Sequence, residues 1–338
     1  MPVNMVKQKT FPNSSPCELP YAQLEKPLSP SEEEGSRAFG EILDLWLSHI
    51  ALSLKPSTCS TYFSIAENHI RPRLGHVKTA GLTDSHIEDF MAELTCLKSP
   101  LSGSTARGIS NVLRSVLVFA AKHGCPASPE ACKCSKRPAK PEISVLTADE
   151  QRRLLTSLGV SPSGADLGIF ICLKTGLRVG EICALKWGDV CFHSGVLSVN
   201  RTVQRIVSRP PTSTKTLLHF GEPKSITSKR KIPLSPALSE LLLQKRGPSD
   251  CFIVSGRADK TIEPRSMQRH FKTVLRHAGI RDMNFHVLRH SFATKCVDSG
   301  FDVKSLSMIL GHSSVSTTMN TYVHPSMEKI REMIARLD

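Results

Sequence analysis

NFHVLRHSFAT, at residues 284–294, and LGHSSVSTTMNTYVH, at residues 310–324, decide the fold and function predicted for this 338-residue chain. On a helix, His286 and Arg289 stand three residues apart, so their side chains leave from one face and can contact one small anion. Leu310-Gly311-His312 is typical of a helix end, with glycine in the position that adopts a left-handed turn. The Ser/Thr-rich segment after it leads to Tyr322.

Tyr322 is the candidate nucleophile. The chain holds three tyrosines. Tyr21 lies in a Pro-rich N-terminal segment, and Tyr62 stands at helical spacing from Ile65, which is typical of packing. Tyr322 alone is surrounded by candidate anion ligands. A lone His-x-x-Arg is most often a solvated helix face, and a lone tyrosine is usually a packing residue. The functional prediction therefore depends on several motifs occurring together in one chain.

A second motif, TGLRVGEICALKW at residues 175–187, strengthens that combination. Arg178 directly follows a glycine-bearing turn at a predicted helix N-terminus. Guanidinium groups bind phosphate as planar forks, and the backbone N–H groups of a helix N-terminus also favour anions. Two separate segments of the chain are therefore predicted to bind phosphate.

This ordered set of motifs resembles the tyrosine recombinases, also called the phage integrase family. Residues 175–187 look like the first arginine box of that family, and residues 286–294 look like the second. Leu310-Gly311-His312 and Tyr322 complete the set, which spans residues 38–325. There are two departures. Asn284-Phe285 stands where Thr-Pro is common, and ten residues rather than nine separate His312 from Tyr322.

The resemblance implies a catalytic set and a chemistry. The family places a catalytic lysine in a hairpin, and Lys224, directly after Pro223, matches that motif best, with Lys229 and Lys231 as rivals. The implied catalytic residues are Arg178, Lys224, His286, Arg289, His312 and Tyr322. Attack by the tyrosine on a DNA phosphodiester gives a covalent 3′-phosphotyrosine, which stores the bond energy for rejoining. The reaction then requires neither a cofactor nor a metal.

Bulk composition agrees with a nucleic-acid partner. Lysine plus arginine number 44 against 30 acidic residues, a formal net charge of +14, which suits double-stranded DNA. No apolar run is long enough to span a bilayer and no signal pattern opens the chain, so we expect no membrane contact and a cytoplasmic, nucleoid-associated protein. Eleven cysteines without a CxxC pair do not indicate disulfides. A zinc site at His123, Cys125, Cys132 and Cys134 is disfavoured.

The predicted fold class is α-rich with two domains that form a clamp on DNA. Residues 1–36 are predicted to be a flexible tail, because they are rich in proline and serine. Residues 37–124 show four amphipathic helical patterns, a small helical domain that the resemblance identifies as the core-binding, SAM-like domain. Its apolar positions include Phe39 and Trp46 in the first helix, and Ser57 and Thr83 are predicted caps of the next two. Its candidate phosphate contacts are Arg71, Arg73, Lys78, Arg107 and Arg114.

Residues 125–146 are a predicted basic, Pro-rich linker, whose candidate DNA contacts are Lys136, Arg137 and Lys140. Residues 147–338 are the predicted catalytic domain, of mixed α+β type with a small antiparallel sheet. Thr147 and Glu150 form a capping-box pattern at its start. Residues 195–206 and 231–234 read as strands, joined by a long polar connection, and Ser235-Pro236 opens another helix.

A C-terminal helix favours a recombinase over other classes. Met327, Ile330, Ile334 and Leu337 form a narrow apolar face that can dock on a neighbouring protomer. We therefore expect a homotetramer on paired DNA sites, with an accessory DNA-bending or excision factor as a further partner. A type IB topoisomerase needs no such helix. A metal-dependent nuclease built on His286, His290 and His312 lacks a carboxylate cluster, and a DNA-binding protein without activity does not need the nucleophile.

The biological task has two readings. One is integration and excision of a mobile element; the other is Xer-like resolution of replicon dimers. The long polar connection between strands and the extended N-terminal tail favour the integrase, by analogy with mobile-element members of the family.

Overall fold

The computed structural model describes residues 37–96, 101–133, 144–207, 216–221 and 229–322, together with positions 327, 331, 334 and 335. The predicted tail, residues 134–143 of the predicted linker and Lys224 lie outside this part of the chain. The described residues form two large hydrophobic cores, one built from residues 39–132 and the other from residues 146–288, and a smaller third cluster from residues 293–322.

The first core is helical, as predicted. The apolar face of the first helix is buried, with Phe39 fully inaccessible and Trp46 stacked on Tyr62 at 5.8 Å between ring centroids. A π-helical turn at Ala66–Ile70 joins the second and third helices into one continuous segment. The helices are α1 (Phe39–Ala51), α2 (Pro56–Ile65), α3 (Arg71–Leu74), α4 (Asp84–Cys96) and α5 (Gly103–Ala120).

One helix boundary of this part differs from the sequence prediction. α2 begins at Pro56 with Lys55 as its N-cap residue, so Ser57 is already inside the helix. Proline suits the first helical position for two reasons. Its fixed φ is helical, and a backbone N–H at this position would have no intrahelical acceptor, so no hydrogen bond is lost. The segment after α5, assigned to the linker from residue 125 onward, still packs against the first core through Cys125 and Cys132.

The second part of the chain is mixed α+β, which confirms the predicted fold class. Thr147 and Glu150 exchange side-chain to backbone hydrogen bonds of 3.1 and 2.8 Å, the capping box expected at the start of its first helix. The predicted Ser235-Pro236 helix start is also confirmed. The helices are α6 (Ala148–Leu158), α7 (Gly164–Thr175), α8 (Val179–Ala184), α9 (Pro236–Gln244), α10 (Pro264–His277), α11 (Val287–Asp298), α12 (Val303–Leu310) and α13 (Val315–Tyr322).

The strands form two small antiparallel sheets. β1 (Val190–Cys191), β2 (Val196–Val199) and β5 (Arg230–Pro233) make a three-stranded sheet in the order β1-β2-β5, in which Ser198 pairs with Lys231. β3 (Thr202–Val207) pairs with β4 (Thr216–Gly221). β4 lies inside the segment that the sequence predicted to be a polar connection, so that prediction was wrong for residues 216–221.

The two parts of the chain touch through α2 and β3. The backbone N–H of Val207 donates to Ser60 Oγ over 2.8 Å. No helix of the described residues has the length and apolarity that crossing a bilayer requires.

Candidate active site

The first arginine box lies where α7 turns into α8. α7 ends at Thr175, Gly176 adopts a left-handed conformation with φ of 67°, and Arg178 is the N-cap residue of α8, as the sequence predicted. A Cβ on Gly176 would lie 2.6 Å from the Phe292 ring, so glycine is required by space as well as by conformation. The backbone N–H of Arg178 donates to Glu181 over 2.9 Å. That group is thus engaged by protein rather than open to an anion.

Three arginines bind three successive backbone carbonyls at the C-terminal end of α12, one arginine to each carbonyl. Arg230 Nε donates to Ile309 O over 2.6 Å, Arg289 Nη2 to Leu310 O over 2.9 Å, and Arg178 Nη2 to Gly311 O over 3.1 Å. The last carbonyls of a helix lack intrahelical partners and carry the negative end of the helix dipole, so they attract cations. The end of α12 therefore gathers three guanidinium groups into one place.

Glu181 compensates part of this positive charge. Its carboxylate accepts from Arg178 Nη1 over 2.9 Å and from Arg230 Nη1 and Nη2 over 3.0 and 2.9 Å. Burial would raise the pKa of Glu181, but the hydrogen bonds and charge of Arg230, together with the charge of Arg178, hold it below its usual value. The Arg230 and Glu181 side chains are 5% and 4% exposed, so this is a buried ion pair that orients Arg178.

Arg289 is almost completely buried, with 1% of its surface exposed. Its Nη1 donates to Gly176 O over 2.8 Å, in addition to the bond to Leu310 O. Its Nε has no partner among the described residues, and a guanidinium carries more N–H groups than two carbonyls use. Burial and then the charge of Arg178 lower its pKa to about 9, so it stays protonated at neutral pH. Arg289 can therefore still donate to phosphate oxygens.

Two histidines beside these arginines are neutral at physiological pH. His286, the N-cap residue of α11, borders an open depression of about 270 Å³ also lined by Leu177 and Gln268. His286 is exposed at the protein surface, but loss of surrounding water and then the charges of His290, Arg289 and Arg178 lower its pKa to about 4. Burial and the same arginines lower the pKa of His312 to about 4, and its Nδ1 lies 2.8 Å from Thr318 Oγ1.

Tyr322 ends α13 and lies in the same cluster, with 8% of its surface exposed. Its ring stacks parallel to His312 at 6.5 Å between centroids, and its hydroxyl lies 2.8 Å from His290 Nδ1. Burial raises the pKa of the phenol, while the charges of Arg289 and Arg178 oppose that rise. Gly311, which precedes His312, has φ of 66°, the left-handed helix end expected from the sequence.

The structure thus brings together five of the six predicted catalytic residues. Arg178, His286, Arg289, His312 and Tyr322 surround the end of α12, while Lys224 lies outside the described residues. Sequence reasoning missed Arg230. Alternation along β5 was the available signal: side chains two apart share a face, and Ile232 is buried, so Arg230 points inward. The same alternation sends Lys231, which is exposed, to the opposite face.

The candidate DNA contacts of the helical part fall into two groups. Arg71 pairs with Glu67 at 2.9 Å and with Asp44, and Arg73 pairs with Glu93 at 3.0 Å. Arg114 donates to the carbonyls of Pro129 and Cys132 at 3.3 and 3.5 Å. These three side chains have partners within the fold. Lys78 and Arg107 are exposed, and the linker candidates Lys136, Arg137 and Lys140 lie outside the described residues.

Metal binding by the histidines is not indicated among the described residues. In the part of the chain that the structure describes, no group of three or more His, Cys, Asp or Glu side chains is placed to hold a metal ion. Two of the three histidines proposed for a nuclease contact hydroxyl groups instead, His290 with Tyr322 and His312 with Thr318.

Comparison with known proteins identifies the family. The profile of the phage integrase family matches residues 144–329, and that of the phage integrase N-terminal SAM-like domain matches residues 38–95. The chain is 26% identical over 315 residues to the tyrosine recombinase XerC-like protein of Caldanaerobacter subterraneus subsp. tengcongensis, covering 84% of this chain and 78% of that protein. It is 29% identical over 252 residues to XerA of Pyrococcus furiosus, covering 73% and 78%.

Two solved structures share the fold. The Tn1549 transposon integrase in complex with a circular intermediate DNA superposes with a TM-score of 0.71 at 20% identity, covering 90% of this chain and 100% of that one. A lambda integrase dimer bound to a core site superposes with a TM-score of 0.64 at 21% identity, covering 86% and 79%. The chain belongs to the phage integrase family, the tyrosine recombinases, as its motifs predicted.

Proposed function

We propose that this protein is a site-specific DNA recombinase that cleaves and rejoins strands through a covalent 3′-phosphotyrosine at Tyr322. One observation carries the proposal: a tyrosine hydroxyl, two arginines and two neutral histidines lie around the end of a single helix. Such a cluster binds a phosphodiester and supplies a nucleophile to it.

The residues divide the chemistry between them. Attack by the Tyr322 oxygen gathers negative charge on the non-bridging phosphate oxygens. Arg178 and Arg289 stabilise that charge, with His286 and His312 as neutral N–H donors. Lys224 protonates the departing 5′ oxygen, for which a lysine is suited when neighbouring cations lower its pKa. Rejoining to another 5′-hydroxyl reverses these steps, without a nucleotide cofactor or a metal.

Double-stranded DNA is the proposed partner. The formal charge of +14 favours association with a polyanion through release of counterions. Exposed Lys78 and Arg107, together with Lys136, Arg137 and Lys140, are the candidate contacts that remain after the internally paired arginines are set aside. We propose domains at residues 37–124 and 147–338 that close on the duplex as a clamp, with residues 125–146 between them.

Integration and excision of a mobile element is the biological task we propose. The length of the connection between β3 and β5, within which β4 lies, favours it by analogy with mobile-element members of the family. Resolution of replicon dimers is the second candidate, because the curated relatives described above are named XerC-like and XerA. Recombination of paired sites in a purified system separates them: an integrase is expected to need an accessory bending or excision factor for one direction of the reaction.

The first prediction tests the reaction itself. The substrate is a duplex with a nick close to the cleavage site, so that the short fragment with the released 5′-hydroxyl dissociates and cannot be rejoined. On this substrate the protein is expected to form a covalent adduct that peptide mapping assigns to Tyr322. The adduct is expected to form equally in a chelator, because guanidinium groups take the place of a metal. Mapping to Tyr21 or Tyr62 would refute the assignment. Loss of cleavage in chelator with recovery in magnesium or zinc would indicate a nuclease.

The second prediction concerns assembly as a homotetramer. Met327 and Ile334, two members of the predicted C-terminal apolar face, are 65% and 59% exposed, so no described part of this chain covers them. We propose that a neighbouring protomer does. Deleting residues 326–338 is expected to leave binding to a single site intact and to weaken synapsis of paired sites, measured by gel mobility. A matched control replaces exposed Arg331 by alanine, which keeps the apolar face. Unchanged synapsis after the deletion would assign the face to intramolecular packing.

A further inference from the structure

His290 contacts the atom that reacts. Its Nδ1 lies 2.8 Å from the Tyr322 hydroxyl oxygen, and the two rings are 5.6 Å apart between centroids. In the proposed chemistry His290 has no role, since His286 and His312 are the donors to the phosphate. The hydroxyl of the nucleophile must nevertheless lose a proton when its oxygen bonds to phosphorus.

The protonation states on the two sides of this contact suit proton transfer from tyrosine to histidine. Burial and then the charge of Arg289 hold the pKa of His290 below its usual value, so the imidazole is neutral. Burial keeps the phenol of Tyr322 protonated. A neutral imidazole with its own proton on Nε2 offers the Nδ1 lone pair to the phenol O–H.

The neighbouring groups are less suited to accept this proton. His312 faces Tyr322 with its ring parallel, at an interplanar angle of 3°, and its Nδ1 is engaged by the Thr318 hydroxyl. Arg289 is already protonated. His286 meets His290 edge to face at 4.6 Å between centroids, so the aromatic contact of its ring is with His290. The charged and titratable groups that face His290 are thus Arg289, His286 and Tyr322.

We propose that His290 is the base that takes the Tyr322 proton during attack on the DNA phosphodiester, an inference that rests on the recombinase function proposed above. As the Tyr322 oxygen bonds to phosphorus, the phenol O–H bond breaks and its proton moves to His290 Nδ1, leaving an imidazolium. The bond from phosphorus to the 5′ oxygen breaks, and that oxygen takes a proton from the general acid. In rejoining, the imidazolium returns its proton to the departing phenolate.

Two substitutions separate proton transfer from mere positioning. His290→Asn places an amide oxygen near the position of Nδ1, so it can accept the hydrogen bond but cannot take the proton. His290→Ala removes both functions. Both variants are expected to slow adduct formation by about 10²- to 10⁴-fold, the usual contribution of a general base. Affinity for uncleaved DNA is expected to stay unchanged, and free imidazole is expected to restore part of the His290→Ala rate.

A nucleophile that ionises more readily gives an independent readout. Replacing Tyr322 by 3,5-difluorotyrosine lowers the phenol pKa, so the need for a base is reduced. The fluorinated residue is expected to bring the His290→Asn and His290→Ala rates close to that of the fluorinated protein with His290 intact. His277→Asn, at the exposed end of α10, is the matched control and is expected to keep the wild-type rate.

The outcomes distinguish this inference from the function on which it rests. If the wild-type protein forms no adduct at Tyr322, the recombinase function itself is refuted. If the wild-type adduct forms and His290→Asn keeps the wild-type rate, His290 only positions the tyrosine and the inference is overturned. Failure of the fluorinated tyrosine to accelerate either variant overturns it as well. Thermal unfolding and DNA binding of each variant verify that it is folded.

Discussion

Tyr322→Phe is expected to reduce adduct formation and strand exchange below detection while leaving DNA affinity almost unchanged. The variant keeps the ring that packs against Ala293 and Leu310, so the end of α13 stays in place. It loses the hydrogen bond to His290, which costs roughly 1 kcal/mol of folding stability. Affinity changes little, because phosphate contacts dominate such interfaces and one hydroxyl contributes little to them. Adduct assays and filter-binding titrations measure the two effects separately.

The matched control for this change is Tyr62→Phe. Tyr62 stacks on Trp46 in the helical core and is half-buried, so its ring contributes packing that phenylalanine preserves. That variant is expected to cleave at the wild-type rate. Residual cleavage by Tyr322→Phe at a rate close to wild type would mean that another group is the nucleophile.

Local signals in the sequence predicted several helix ends correctly. The Thr147–Glu150 capping box and the left-handed turns at Gly176 and Gly311 depend on contacts within a few residues of the chain. Such contacts depend only on the types of residues that are close together in the chain, so they can be predicted from the sequence alone. These ends set the start of α8 and the position of His312, which is why the residues of the two motifs lie close together in the structure.

Contacts between distant segments were less accessible to sequence reasoning. Arg230 and Glu181 are 49 residues apart in the chain and meet only after β5 has paired with β2. Similarly, net charge does not reveal that Arg73 faces Glu93. The Arg71–Glu67 pair is local by contrast: Glu67 stands four residues before Arg71, a spacing that is visible in the sequence.

β4 escaped prediction for a different reason. Residues 216–221 carry half-buried and exposed side chains on both faces of the strand, and Phe220 is 44% exposed although it stacks on Phe252. A strand without one clearly buried face lacks the alternation of apolar and polar residues that identifies strands in a sequence. Its pairing with β3 supplies the backbone hydrogen bonds that stabilise it instead.

Lys224→Ala is expected to slow cleavage by about 10²- to 10⁴-fold, the usual contribution of a general acid. Lys231 is a weaker candidate for the general acid than the other two lysines. It follows Arg230 on β5, and neighbouring side chains on a strand point to opposite faces. Because Arg230 points into the arginine cluster, the exposed side chain of Lys231 points away from it. Lys229 is exposed just before that strand and is the remaining rival. Cleavage rates of all three alanine variants, at saturating protein, give the comparison.

Rescue by sulfur identifies which lysine is the acid. A substrate with sulfur in place of the bridging 5′ oxygen releases a thiolate, which needs no proton to depart. Lys224→Ala is therefore expected to regain most of its rate on this substrate. Arg178→Ala is expected to stay slow, because it has lost stabilisation of the non-bridging oxygens instead. If sulfur rescues Lys229→Ala and not Lys224→Ala, then Lys229 is the acid and Lys224 acts as a phosphate contact. If it rescues neither, the proton comes from a group other than these two lysines.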